Sequence, residues 1–265
     1  MMASCAVLFG SLLLRNCWGQ EFGASLPVDS NAEGRGDELL RPHIIATTIR
    51  AAGRDATDLT PYGLTRRDFQ AIAATVPTVE TVVPVREIRR QARVGEQVLD
   101  VQLVGTTADY SAMHGLSASR GRFLVEEDSE KLRNVAVIDD LLARRLFLGQ
   151  DPIGETIRVD KHYFLVVGIV EKEPGPTPAG GVDNTGRAIY LPYSTMRSRF
   201  SDREIVRQRG SFTVEQFELS RIEITVSQFS QVGETTRIIE SLLDRYHEDL
   251  DYKVTSSLDT LRSRP

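Results

Sequence analysis

Cysteine is nearly missing from this chain of 265 residues: there are two, Cys5 and Cys17, and both lie ahead of Gly19. Whatever folds downstream therefore has no thiol nucleophile, no disulfide and no Cys-based metal site, and must stand on its packed core. A basic excess is missing too. With 32 Lys and Arg against 37 Asp and Glu, a net charge of -5 and a pI near 5.5, the chain lacks the phosphate-neutralising surface that nucleic acid requires. It has no Gly-x-x-x-x-Gly-Lys-Ser/Thr loop, so it carries no Walker A nucleotide site. The four histidines, His43, His114, His162 and His247, show no metal-ligand spacing and read as structural or solvated. "HGLSASRG" is not a Gly-x-Ser-x-Gly elbow, no strand leads into it, and it reads as a turn. Glu126, Glu127 and Asp128 read as a solvated turn. No catalytic, cofactor-binding or metal-ligating residue is assigned.

What is present is the ordinary balance of a folded domain, 41% apolar and 26% charged. The apolar run Ala3–Leu14 is the length of a signal-peptide core and short of the roughly 20 residues that cross a bilayer as a helix. Residues 1–19 are expected to be a signal peptide or a truncated membrane anchor, giving a periplasmic or cell-envelope location, inner-membrane associated or exported. Residues 20–41 are polar and Gly-rich, a linker.

Folding is expected to begin near His43. "HIIATTIR" is strand-like, and "LTRRDFQAIAATVP" is a helix with Thr65 as N-cap, Asp68 three residues on, and Phe69, Ile72, Ala73 and Val76 along one face. Pro77 stops it, and "TVETVVPV" follows as a strand. The same order returns later: "RIEITVS" as strand, "QVGETTRIIESLLDRYHEDL" as helix with a stripe of Val232, Thr236, Ile239, Leu243 and Tyr246, and "DYKVTS" as strand. The two helices should share one core. Between these units, "REIRRQARVGEQVLDVQLVGTT" reads as a hairpin turning near Gly95 with Val98, Val101 and Leu103 inward. "TADYSAMHG" is a short helix closed by Gly115, and "NVAVIDDLLARRLFLG" a strand entering a helix capped by Gly149. "ETIRVD" and "YFLVVGIVEK" pair across Lys161-His162, and "RAIYLPYSTM" gives a strand and short helix. The Pro- and Gly-rich tip "EPGPTPAGGVDNTG" should be held at both ends by paired strands, "YFLVVGIV" and "RAIYLP". Such loops on rigid scaffolds carry recognition, and Pro174, Pro176, Pro178, Asp183 and Asn184 are the candidate partner-binding residues; Asp183 and Asn184 are too few for a calcium loop.

In order, "LTRRDFQAIAATVPTVETVVPV", "VQLVGTTADYSAM", "GRFLVEED", "NVAVIDDLLARRLF", "DPIGETIRV", "YFLVVGIVEK" and "IYLPYSTM" resemble the MacB-like periplasmic core domain of mechanotransmission (type VII) ABC transporter permeases. The most specific block is the helix ending Arg145-Leu146-Phe147, the Asp151-Pro-x-Gly turn and the strand ending Val166-Val167-Gly168. The resemblance covers His43 to Ser257. It implies an α+β fold with a porter-like region of two strand-helix-strand units, 42–96 and 201–260, split by an inserted β-rich sabre-like region, 97–200. It also implies a non-catalytic extracytoplasmic domain that moves with cytoplasmic ATP hydrolysis and acts in export or mechanotransmission through contacts with partner proteins or lipophilic substrates, with ABC ATPase and permease subunits and a periplasmic adaptor or chaperone as partners and membrane association through the N-terminus. The transmembrane helices of such permeases are not found in the sequence, which suggests either a permease fragment or a stand-alone exported binding or adaptor protein. An exported enzyme of unknown type is the remaining alternative.

Overall fold

Thr65 starts a helix as its signature requires. In a computed structural model of the chain, which describes residues 42–50, 61–171, 186–208 and 211–262, the Thr65 hydroxyl accepts from the Asp68 backbone N–H at 3.3 Å. The Asp68 carboxylate accepts in return from the Thr65 N–H at 2.7 Å, closing a capping box. The first strand, β1 (His43–Thr48), leads to this helix, α1 (Arg66–Thr75), and then to β2 (Val79–Val94). Ile72 and Val76 are buried as expected, but Phe69 is half-buried and Ala73 faces out.

The chain continues through β3 (Gln97–Thr106), α2 (Asp109–His114), β4 (Ser117–Gly121), α3 (Glu126–Glu130), β5 (Val135–Asp139) and α4 (Asp140–Phe147). It then forms β6 (Thr156–Val159), β7 (His162–Glu171), β8 (Ala188–Pro192), α5 (Tyr193–Arg199), β9 (Arg203–Gln208) and β10 (Ser211–Gln216). It ends with β11 (Arg221–Val226), α6 (Phe229–Asp244), β12 (Tyr252–Ser256) and α7 (Ser257–Arg262).

Two lobes result, and they share β2. The first is an antiparallel sheet in the order β12-β1-β11-β2. Its strand-helix-strand units interleave, which is the split βαβ arrangement. Helices α1 and α6 pack on one face, where Ile44, Ala46, Ile72, Ile222, Ile224, Val232, Ile239 and Leu243 form a single core with Phe69 against it. In the second lobe the ladder runs β2-β3-β8-β5-β7-β6 and returns to β2 through Ala92↔Val159, so it closes on itself. A small closed barrel must fill its interior with side chains. Ile88, Ala92, Leu103, Ile138, Ile157, Phe164 and Ile189 do so, capped by Leu146 and Phe147 of α4 and Met196 of α5.

Several expectations change. β2 is one strand of 16 residues, so "TVETVVPV" and the first arm of the hairpin are continuous. Val98 points outward while Val101 and Leu103 are buried, as strand alternation demands. "SASRG" is strand β4, paired with β7, and no turn. β7 and β8 do not pair directly; β5 lies between them. α4 ends with Leu148 in the left-handed region at φ 51, one residue before Gly149. The β6–β7 turn is Asp160-Lys161, and His162 already belongs to β7. Helix α6 stops at Asp244, leaving Tyr246 exposed, and Thr235 takes the buried place expected for Thr236. Asp128 is fully buried, bonded to Arg122 and Arg133. β9 and β10 add an antiparallel hairpin that the sequence reading does not contain.

Candidate functional site: a charged junction between two lobes

Strand β2 changes neighbours in mid-course. Up to Val85 it pairs with β11, and from Arg86 it pairs with β3. Successive strand residues point to opposite faces, so Arg86 and Glu87, at the crossing, enter different surroundings. Each meets its own ionic network.

On the Glu87 side, Arg221 and Glu223 stand two residues apart on β11 and share a face. The Arg221 guanidinium donates from Nε to Glu223, from Nη1 to Glu87, and from Nη2 to the Tyr110 hydroxyl at 3.3 Å. His114 Nε2 lies 2.5 Å from the other Glu223 oxygen, and Gln102 Nε2 donates to Glu87 at 2.8 Å. The Tyr110 and His114 rings, one helical turn apart on α2, sit with centroids 4.1 Å apart. The network thus fastens β11 of the first lobe to β3 and α2 of the second across the shared strand. Arg221 and Glu223 are each 2% exposed, a depth at which charges persist only when paired.

On the opposite face, Arg86 is 1% exposed. Its guanidinium lies 3.2 Å from Asp202 and donates to the Phe200 carbonyl at 3.4 Å and to the Ser201 carbonyl. Asp202 also meets Arg66 of α1 at 3.2 Å, and Arg66 in turn meets Glu218 at 2.8 Å. Asp202 and Glu218 flank the β9–β10 hairpin, so its root is tied to both α1 and β2.

The electrostatics favour permanent charge. Burial opposes ionisation of Glu223, but the His114 contact and the Arg221 charge outweigh it and bring its pKa to about 2. Burial would weaken the Arg221 cation, and the neighbouring Glu223 and Glu87 carboxylates reverse that and raise its pKa. Burial, reinforced by the Glu223 charge, raises the Tyr110 phenol, so it stays protonated. These groups hold fixed protonation states at neutral pH and suit bracing. A third cluster lies behind α1, where His247 contacts Asp68 at 3.1 Å and Asp251 at 2.8 Å, while Asp251 accepts from the Gly63 N–H at 2.6 Å.

Among the sequence-derived candidates, Pro174, Pro176, Pro178, Asp183 and Asn184 lie outside the described residues. His114 and His247 are members of the networks above, and His162 sits edge-on to Phe200 at 5.6 Å between centroids. Among the described residues, no group of three or more His, Cys, Asp and Glu side chains could hold a metal ion. No described helix is long and apolar enough to cross a membrane. The junction networks went unread in the sequence because Glu87 and Arg221 are 134 residues apart. A signal was nevertheless there: opposite charges two apart in the otherwise apolar strand "RIEITV" share one buried face.

The class so defined is a two-lobed α+β domain whose buried charges brace a shared strand. Residues 30–242 match the family model described as the MacB-like periplasmic core domain, and the chain belongs to that family, which places it in the cell envelope. The macrolide export ATP-binding/permease protein MacB of Nitrobacter winogradskyi is 27% identical over 246 residues, 90% of this chain and 35% of that protein. The pyoverdine export ATP-binding/permease protein PvdT of Pseudomonas aeruginosa is 25% identical over 210 residues, 79% of this chain and 29% of that protein. The chain spans about a third of the length of these curated relatives. Among solved structures, the periplasmic region of MacB from Actinobacillus actinomycetemcomitans aligns with a TM-score of 0.62 at 19% identity, covering 88% of this chain and 98% of that one. The extracellular domain of the ABC-type transporter YknZ from Gram-positive bacteria aligns at 0.60 and 17% identity, covering 80% and 99%. At these identities the structural likeness concerns the fold.

Proposed function

We propose that this chain is a non-catalytic mechanical relay in an ABC-type export system, with ABC permease and ATPase components as its partners. The carrying observation is the shared strand β2, braced on both faces at Arg86 and Glu87. β1 and β12 are neighbours, with Ile44 opposite Ser256, so the polypeptide enters and leaves the first lobe side by side, and a displacement applied there reaches the barrel through β2. In this reading the sheet carrying α1 and α6 is the porter-like region and the barrel with α2 to α5 the sabre-like region, with the division inside β2. An adaptor or chaperone would meet the second lobe, and residues 174–184 are part of that contact surface.

The test is a distance measurement across the junction. With Cys5 and Cys17 replaced by Ser, spin labels at Glu234→Cys on α6 and Lys161→Cys in the β6–β7 turn should give one narrow distance distribution, which Arg221→Met broadens. A broad distribution before that change, or a narrow one after it, overturns the relay. In the same cells, cross-linking should recover ABC permease or ATPase subunits; recovery of neither overturns the partner assignment.

A further inference from the structure

A row of residues on the outside of the barrel breaks a local rule of sheet construction. Across four adjacent strands the register places Val98 of β3 opposite Arg93 of β2, Arg93 opposite Arg158 of β6, and Arg158 opposite Tyr163 of β7. Their neighbours Ala92, Val159 and Phe164 are wholly buried in the barrel, so alternation turns this row to solvent. Arg93 and Arg158 are exposed, Tyr163 is 58% exposed, and Leu165, two residues along the same face, 41%. Like charges directly opposite each other on a sheet repel. Neither Arg93 nor Arg158 forms an ion pair or hydrogen bond through its side chain with any described residue; the carboxylates of Asp160 and Asp100 meet Arg90 and Gln91 instead, each at 3.1 Å.

We infer that this row is a docking surface for an acidic segment of a partner protein, one that sets a carboxylate over the Arg93–Arg158 pair and an apolar side chain on Tyr163 and Leu165. Carboxylate geometry matches the guanidinium fork, and two forks side by side surround a carboxylate that one could only flank. Departures from a local rule concentrate at functional or strained sites, and here the missing counter-charge is what the partner supplies. The flanking Tyr, Leu and Val give the surface an apolar floor, and Tyr and Arg together are the residues that anchor protein interfaces. A phosphate-rich polymer or an anionic membrane is a poorer fit, because such surfaces bind through larger basic clusters than two arginines. The inference stands apart from the relay reading, since the row exists whether or not the lobes move together.

The probe is a short fluorescein-labelled peptide alternating glutamate with leucine, titrated against the full chain. A glutamine-for-glutamate peptide and phosphatidylglycerol vesicles are the comparisons. Saturable binding of the acidic peptide is expected, weakened by salt, absent with the glutamine peptide, and reduced about tenfold or more in Arg93→Gln/Arg158→Gln. Tyr163→Ala should weaken binding without changing its salt dependence. Arg158→Glu supplies the missing counter-charge within the sheet, so it should raise the melting temperature while abolishing peptide binding. That opposition between stability and binding is not expected of a surface that merely faces water. The inference is overturned by an absence of saturable binding, by binding that survives the double substitution, by an Arg-dependent preference for the vesicles over the peptide, or by a melting temperature that falls in Arg158→Glu.

Discussion

Replacing Arg221 by Met tests the junction most directly. The guanidinium serves Glu223, Glu87 and Tyr110 at once, and Met keeps much of its volume while removing every charge and donor. Glu223, 2% exposed, would then be a buried carboxylate with its guanidinium partner gone. Breaking a buried pair from one side costs about 3–5 kcal/mol. A second route sets the scale. Despite burial, the Glu223 pKa falls from 4.5 to about 2 on folding, through the His114 contact first and the Arg221 charge after it, and at about 1.4 kcal/mol per unit the whole shift corresponds to about 3 kcal/mol, of which Arg221 supplies a part. Because the folded value is the lower one, that stability is fully present above pH 4.5 and is lost as pH falls toward 2. The two routes therefore predict a distinctive pattern. Urea unfolding at pH 7 should show Arg221→Met destabilised by about 3–5 kcal/mol, and the gap from wild type should narrow steadily between pH 5 and pH 3 as Glu223 becomes protonated in the variant. Arg221→Met/Glu223→Met should recover part of the loss, since the buried Glu223 charge is removed with its cation while the less buried Glu87 keeps Gln102 as a donor. A penalty below about 1 kcal/mol at pH 7, or one that does not change with pH, would refute the bracing role.

Other regions give sharper local tests. A Cβ on Gly168 would lie 2.0 Å from the Arg122 carbonyl oxygen, backbone that cannot rotate away, so Gly168→Ala should cost about 2–3 kcal/mol in denaturant unfolding. Ile72→Ala should cost about 3–4 kcal/mol, because Ile72 is wholly buried, while half-buried Phe69→Ala should cost about half as much; equal penalties would mean the α1 face is placed wrongly. The contacts with Asp68, foremost, and with Asp251 raise His247 above 6.5. Its contribution is accordingly full below pH 6.5 and lost as pH rises through the folded value. Melting temperature should fall through that range in wild type and lose this component in His247→Gln.

How far the sequence could be read depended on how local each feature is. The Thr65–Asp68 capping box, the Gly95 hairpin and the Gly115 helix end are each settled within a few residues, and all three stand where the residues predicted them. The closed barrel was not legible, because it depends on β6 returning to β2, a pairing of Ala92 with Val159 that no local pattern encodes. The length of β2 was hidden by its own charges. Arg86 and Arg90 occupy the same face as Ile88 and Ala92, and so spoil the apolar alternation that marks a strand. They are tolerated because Asp202 and Asp160, far along the chain, receive them. The candidate residues of the tip, Pro174, Pro176, Pro178, Asp183 and Asn184, stand out by composition and lie outside the described residues, whereas the charges of the junction hide it from a reading of apolar periodicity.

That reversal follows from what a shared strand must do. A strand belonging to two sheets would, if apolar throughout, be free to slide its pairing by two residues in either lobe, since apolar contacts fix the face and not the register. Charged residues at the crossing remove that freedom. Glu87 meets Arg221 only when the β11 register is correct and accepts from Gln102 only when the β3 register is correct, and a slip of β11 would strand a buried charge. The ionic networks thus set the alignment of the two lobes at one point, while the apolar cores on either side supply most of the stability. Buried ion pairs add little net energy over a hydrophobic alternative, so their place here is better explained by specificity of alignment, and the double Met replacement separates the two: it should recover part of the stability lost in Arg221→Met while leaving the spin-label distance distribution broadened. A double variant that regains both stability and a single narrow distance would show that apolar packing alone sets the register.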